Sequence, residues 1–210
     1  MVNLTLATTT IGDLLLKSTI TKDEKGKAIK NVSLVIPDYQ RPYKWTARNA
    51  IQLLDDIIEA RNSNKEVYRV GTLILHKDKD ENGQPRYNIV DGQQRTITFS
   101  LLLSVLYDLE ESKPEISLLE QKVFDNEYSR RNIPNNLNAF RRRIGTNDNN
   151  QTKDDRSEDH TRDMRRLRDF IEKQCELIVV ITEDVSEAFQ FFDSQNARGK
   201  ALYPHDLLKA

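Results

Sequence analysis

Tyr87-Asn88-Ile89-Val90-Asp91-Gly92-Gln93-Gln94-Arg95-Thr96-Ile97-Thr98-Phe99-Ser100-Leu101-Leu102-Leu103-Ser104-Val105-Leu106 is the stretch on which the fold turns. Its first four residues are short, partly β-branched and suited to a buried strand. From Thr96 the chain is apolar nearly all round and long enough for a buried helix. The polar pentapeptide Asp91–Arg95 falls between them, in the first turn of that helix. Backbone N–H groups and the positive end of the macrodipole gather there, which favours an anion. Gly92 permits close approach of a ligand to the backbone. Arg95 supplies a planar fork matched to phosphate, and Gln93 and Gln94 can donate or accept. Asp91 reads in two ways, as the helix cap or as the holder of a metal ion or water beside bound phosphates. A capped helix start with a surface arginine would use the same residues. Five consecutive polar groups between two apolar runs point instead to a ligand site.

Working outward, Thr10 to Leu16 reads as a short capped helix, with Thr10 and Asp13 at capping-box spacing. Residues 21–30 are charged and polar around Gly26, the composition of a loop or hairpin tip. Val32–Ile36 is a strand that Pro37 ends. Thr46 can cap a helix carrying Ile51, Leu54, Ile57 and Ile58 and running to about Arg61. Tyr68 to His76 is strand-like, and Asn82-Gly83 is a hairpin signal leading into the Tyr87 strand. Residues 110–175 carry weak helical patterns, such as Ile116, Leu119 and Val123, then Met164, Leu167 and Ile171. Leu177–Ile181 is an evident buried strand, Val185 to Asp193 a helix, and Asn196-Ala197-Arg198-Gly199-Lys200 a polar loop. The pattern predicts an α+β fold, a small mixed sheet with flanking helices and a helical insertion between its last two strands. Its divisions are 1–109 for the core, 110–176 for the insertion and 177–210 for the returning strand and helices. Within the insertion, 146–163 is nearly devoid of apolar residues and predicts a mobile loop that proteases cut first. Pro204–Ala210 opens a helix without a stop signal, so a truncated C-terminus is expected.

Composition narrows the classes. The 210 residues carry a formal net charge of −1 with 31% charged side chains, which excludes a uniformly basic nucleic-acid binder but not a local basic face. A single cysteine, Cys175, rules out an intrachain disulfide and the two-cysteine metal motifs. The N-terminus lacks a signal-peptide pattern and no apolar run reaches membrane length, so a cytoplasmic protein with no membrane contact is expected.

Two more polar constellations border apolar elements. Pro37-Asp38-Tyr39-Gln40-Arg41-Pro42-Tyr43-Lys44-Trp45 joins prolines that stiffen a loop to aromatics that can stack on a base and to Arg41, which can meet phosphate. Tyr39 and Trp45 could equally be packing anchors; Gln40 and Arg41 have no evident structural duty. In 196–200, Asn196, Arg198 and Lys200 supply donors beside Gly199, although a helix C-cap and solvated loop reads as well. No P-loop is present, and His76, His160 and His205 lie far apart without metal spacing, His160 within the expected mobile loop. Arg141, Arg142, Arg143, Arg165 and Arg166 are candidate DNA-backbone contacts, or else solvated faces balanced by nearby acids.

Together these residues resemble a known family. Ile36-Pro37-x-Tyr39-Gln40-Arg41-x-Tyr43-x-Trp45, then Gly71, then Ile89-Val90-Asp91-Gly92-Gln93-Gln94-Arg95-Thr96, then Phe192-x-x-x-Asn196-x-Arg198-Gly199-x-x-Leu202-x-x-x-Asp206-Leu207-x-Lys209 occur in the order seen in GmrSD-type domains. The chain thus resembles the N-terminal domain of modification-dependent (type IV) restriction endonucleases, of the ParB/sulfiredoxin-like superfamily; 110–175 matches only as a variable helical region. Tyr203 stands where the family has Ser or Thr. The resemblance implies a nucleoside-triphosphate site on Asp91 to Thr96, with Tyr39, Gln40 and Arg41 across the pocket and Asn196 and Arg198 closing it. Mg²⁺ held through Asp91, and Asp91 and Arg95 as catalytic groups of NTP hydrolysis coupled to DNA restriction in antiphage defence, complete that expectation. Partners are nucleotide, DNA that can carry modifications, and an HNH-type nuclease in a C-terminal part or partner subunit. Two other readings stay open: a module that senses nucleotide or modified DNA without turnover, and a domain that is itself the endonuclease.

Overall fold

The strand and helix around the Asp91–Arg95 turn lie at the centre of the molecule. The computed structural model describes residues 4–109, 114–145 and 158–198, with 192–198 described by their backbone alone. The strand is β7 (Pro85–Asp91) and the helix α3 (Gln93–Asp108). The fold is α+β, with one six-stranded mixed sheet. Its order is β3 (Lys22–Asp23), β1 (Leu4–Thr10), β8 (Cys175–Thr182), β6 (Tyr68–Lys79), β7 and β5 (Ser33–Val35). The β6–β8 and β5–β7 ladders are parallel; β1–β3, β1–β8 and β6–β7 are antiparallel. Two short strands, β2 (Thr19–Ile20) and β4 (Ile29–Lys30), pair separately. The ends of β5 and β7 and the beginnings of β6 and β8 therefore meet along one rim, where the polar turn lies.

Alternation along the strands divides the core. Leu73, Leu75, Ile89, Val179 and Ile181 belong to the main cluster with α3, whereas Ile74, Val90 and Val180 face the other way and pack against Ala188 of α6 (Val185–Arg198). Helix α3 is buried on nearly every side, as its sequence requires. Its Thr98 and Ser100 hydroxyls donate to the carbonyls of Gln94 and Thr96, so they carry no unmet polarity into the core. Helices α4 (Glu127–Arg143) and α5 (Glu158–Gln174) pack on α3, and α2 (Ala47–Asn62) packs on both.

Local signals act as their chemistry dictates. Thr10 caps α1 (Ile11–Leu16) by accepting from the Asp13 N–H at 3.1 Å. The reciprocal half of that box is absent, because the Asp13 carboxylate accepts instead from Lys17 and Thr21. At the start of α2 the Asn49 side-chain oxygen accepts from both the N–H and the hydroxyl of Thr46. Gly83, at φ +77, forms the tip between β6 and β7, where the Asp80 N–H donates to the Gln84 carbonyl.

One strand was not foreseen and three expectations change. Leu4–Thr10 is a strand, the outer partner of β8, which the threonine-rich stretch disguised. The loop expected over 146–163 ends sooner: 158–163 opens α5, because Glu158 and Asp159 suit the positive end of a helix that needs only one apolar face. His160 accordingly lies half-buried on a helix; residues 146–157 lie outside the described residues. Helix α6 runs to Arg198, so 196–198 is its last turn rather than a loop, and 199–210, His205 included, lies outside the described residues. The Ile116–Val123 pattern yields two 3-10 turns, Ser117–Glu120 and Lys122–Phe124. Among the described residues no helix is long and apolar enough to cross a membrane.

Candidate anion site at the start of α3

Strand β7 delivers Asp91 to the rim, and Gly92 turns the chain into α3 with φ +92. A Cβ at Gly92 would stand 2.9 Å from the Thr72 carbonyl oxygen and 3.1 Å from Leu73 Cδ1. Glycine is thus required both by the left-handed backbone and by the closeness of β6. Gly92 occupies the N-cap position and no side chain caps the helix, so Asp91 is not the cap. Among the described residues its carboxylate makes no hydrogen bond and no ion pair. The first turn holds no acidic residue, and Thr96 is the first to bond within the helix, to the Gly92 carbonyl at 3.0 Å. The preceding N–H groups point out of the helix start.

Gln93 and Gln94 are buried and fasten the loop that follows β5. Gln93 Nε2 donates to the Arg41 carbonyl at 3.1 Å, and Gln94 Nε2 to that of Pro42 at 3.1 Å. Gln94 Oε1 accepts from the N–H groups of Lys44 and Trp45 at 2.7 and 3.1 Å. The Gln94 carboxamide is engaged at both its nitrogen and its oxygen, and Gln93 keeps one buried, unpartnered oxygen. Gln40 completes the seam by donating to the Val90 carbonyl at 2.9 Å. Both glutamines therefore hold the loop, rather than presenting open carboxamides to solvent.

Arg95 differs from its neighbours. Its guanidinium lies against Gly71, where β6 bulges between Arg69 and Gly71 and takes φ +133. Burial pushes its pKa down, against the negative charge of Asp91 and then Tyr68. Among the described residues no hydrogen bond or ion pair joins it. Tyr68 borders it; burial raises that hydroxyl, and Asp56, Cys175 and Glu59 raise it further.

The rim thus gathers Gln40, the Arg41 backbone and Asp91 to Thr96. Tyr39 is exposed and turns towards α6, its ring centroid 6.0 Å from that of Phe189. Asn196 and Arg198 lie on the last turn of α6, and their side chains are outside the described ones. Trp45 packs on the main core and Tyr43 is buried within it. Sequence reading missed two contributors: Gly71's part as the floor under Arg95, and Phe189.

The arginine candidates divide between two helices. Arg141 pairs with Asp108 at 3.3 Å and Arg143 with Asp55 at 2.8 Å, so acids of α3 and α2 help to balance that run. Arg142, Arg165 and Arg166 are exposed, Arg166 beside a cleft of about 800 Å³ between α2 and α5. Among the described residues no three His, Cys, Asp or Glu side chains gather as a metal site. Cys175 is buried and its thiol pushed up to about 12, so it is no nucleophile at neutral pH.

None of the curated proteins matches the sequence. A family model does, that of the GmrSD restriction endonuclease, N-terminal domain, over residues 16–210. The match takes in the 37–45 loop, Gly71 and the whole of the Asp91–Thr96 turn, and the chain belongs to that family, which makes it a component of a restriction system.

Proposed function

We propose that the start of α3 binds the phosphates of a nucleoside triphosphate and that this occupancy regulates a restriction nuclease. One observation carries the reading: Arg95 is a cation drawn into the protein beside a helix N-terminus, with no acid in that turn and no hydrogen-bond or ion-pair partner among the described residues, only the charge of nearby Asp91. Such a charge repels the macrodipole and loses hydration, costs that a bound polyanion offsets. Phosphate oxygens accept from the N–H groups of the first turn and from Arg95. Arg95 also neutralises charge that develops on a transferred phosphoryl group, and Asp91 orients the attacking water. Among the described residues Asp91 offers one carboxylate without a hydrogen bond, which would hold Mg²⁺ arriving with the nucleotide. When bound, that ion supplies charge neutralisation and a more acidic water. DNA and an HNH-type nuclease, in a C-terminal part or partner subunit, are the partners the family membership favours.

A second reading, nucleotide sensing without turnover, is favoured by the engagement of Gln93 and Gln94 with the loop, since ligand at the helix start would be felt directly by residues 41–45. Titrating the purified protein with ATP and GTP, and assaying phosphate release with Mg²⁺, separates the two. Binding that vanishes in Arg95→Ala supports the site, and release adds hydrolysis. Equal affinity in wild type and Arg95→Ala overturns the phosphate cradle.

A further inference from the structure

Helix α4 carries a buried polar stripe that the proposed site does not itself use. Ser129, Asn132 and Asn136 are all buried, at spacings of three and four, on either side of the interior Pro134. Every one of them bonds to Tyr43. Ser129 Oγ accepts from the Tyr43 N–H at 3.2 Å, and Asn132 Nδ2 donates to the Tyr43 carbonyl at 3.2 Å. Asn136 Nδ2 donates to the Tyr43 hydroxyl at 2.7 Å and to the Trp45 carbonyl at 2.9 Å. That carbonyl can only accept, which fixes the orientation of the Asn136 amide.

The chain of bonds has a direction. The Tyr43 hydroxyl lies 2.7 Å from Thr98 Oγ1, and Thr98 Oγ1 donates its proton to the Gln94 carbonyl at 2.8 Å. Tyr43 must therefore donate to Thr98. Burial raises the Tyr43 hydroxyl, with Thr98 and Asn136 opposing, so the donor keeps its proton at neutral pH. A relay thus runs from Asn136 through Tyr43 and Thr98 to the backbone of Gln94, in the first turn of α3. The same residue 94 holds the loop from its other side through Lys44 and Trp45. Asn136 also keeps a sealed, unpartnered Oδ1. An apolar side chain would fill that place without the unmet acceptor, so packing alone does not select asparagine there.

We propose that Tyr43, oriented by Asn136 and acting through Thr98, is a positioning residue for the anion site at the start of α3. The inference rests on the proposed function for the ligand's identity, but the coupling itself does not depend on any ligand. The helical insertion then sets how firmly the first turn of α3 and the 41–45 loop are held. Occupancy at the turn is felt in α4 through the same bonds.

Thr98→Val removes the relay hydroxyl and keeps the branched shape, Thr98→Ser restores the hydroxyl, and Tyr43→Phe removes the donor. Hydrogen exchange of ligand-free protein is read at the Lys44, Trp45 and Thr96 amides, with Val179 and Val180 of β8 as reporters of global opening. The expected result is exchange about tenfold faster at the first three in Thr98→Val and Tyr43→Phe, near wild-type rates in Thr98→Ser, and a smaller change in β8. Tripolyphosphate affinity should fall about tenfold in the same two variants. Equal acceleration at β8 and at the turn, or no acceleration at the turn, overturns the coupling. If the wild type binds no tripolyphosphate, the proposed ligand fails while the exchange result still decides the relay.

Discussion

Gly71 is the floor on which Arg95 lies: a Cβ built at residue 71 would stand 2.7 Å from Arg95 Cζ. Residues 24 positions apart (95 − 71) are thereby matched, one strand losing its side chain so that a helix can keep a cation. Gly71→Ala should displace the guanidinium and strain the backbone at φ +133, costing about 1–3 kcal/mol of stability. Nucleotide affinity should fall as well. A melting curve and a binding titration check both, and wild-type affinity in this variant would separate Arg95's placement from ligand binding.

Arg95→Leu should leave the melting temperature unchanged or raise it. The cation sits at the positive end of α3, so its removal relieves repulsion of about 0.3–1 kcal/mol, while leucine fills part of the slot. Binding of triphosphate should be lost. A clear fall in stability would mean that Arg95 serves the fold.

Because Gly92 holds the cap position, Asp91→Asn should not incur the loss of about 1 kcal/mol that removing a side-chain cap brings. Affinity for nucleotide should fall less than turnover. Phosphate release should fall by about a hundredfold or more if Asp91 orients the water. Unchanged release would remove Asp91 from the chemistry.

Acid should weaken the contact between α1 and Thr21, the residue linking β2 to β3. Burial raises the Asp13 carboxyl, but hydrogen bonds from Lys17 and Thr21 outweigh it and hold the group below its ordinary value. With the folded pKa depressed, the contribution is fully present above the unfolded value near ~3.9 and is lost as pH falls through the folded value. Asp13→Asn should therefore lower stability at neutral pH and flatten the acid limb of the melting-temperature profile. Parallel profiles for the two proteins would contradict this.

Much of the fold was readable because its main elements carry periodic signals. The apolar run of α3, the β8 valines and isoleucines, the Asn82-Gly83 tip and the Thr46 helix start all act as their sequences suggest. Strand β1 escaped because its threonines show no clear apolar alternation, and half of its neighbours come from β8, far along the chain. At the site, the turn and its anion-favouring helix start were visible, since they are local. The engagement of Gln93 and Gln94 was not, because carboxamides read alike whether they face a ligand or a backbone. The stripe of Ser129, Asn132 and Asn136 was hidden by Pro134, which argues against a helix, and by polar residues that look solvent-facing until a buried loop lies over them.

Strand β8 lies between β1 and β6, pairing Leu4 with Thr182 and Tyr68 with Cys175. The last strand among the described residues is thus the one that joins the two halves of the sheet. During synthesis the first 109 residues leave the ribosome with β1 and β6 both lacking their shared neighbour, and apolar edges exposed. The N-terminal portion is consequently no autonomous folding unit, and assembly has to await residues beyond 174.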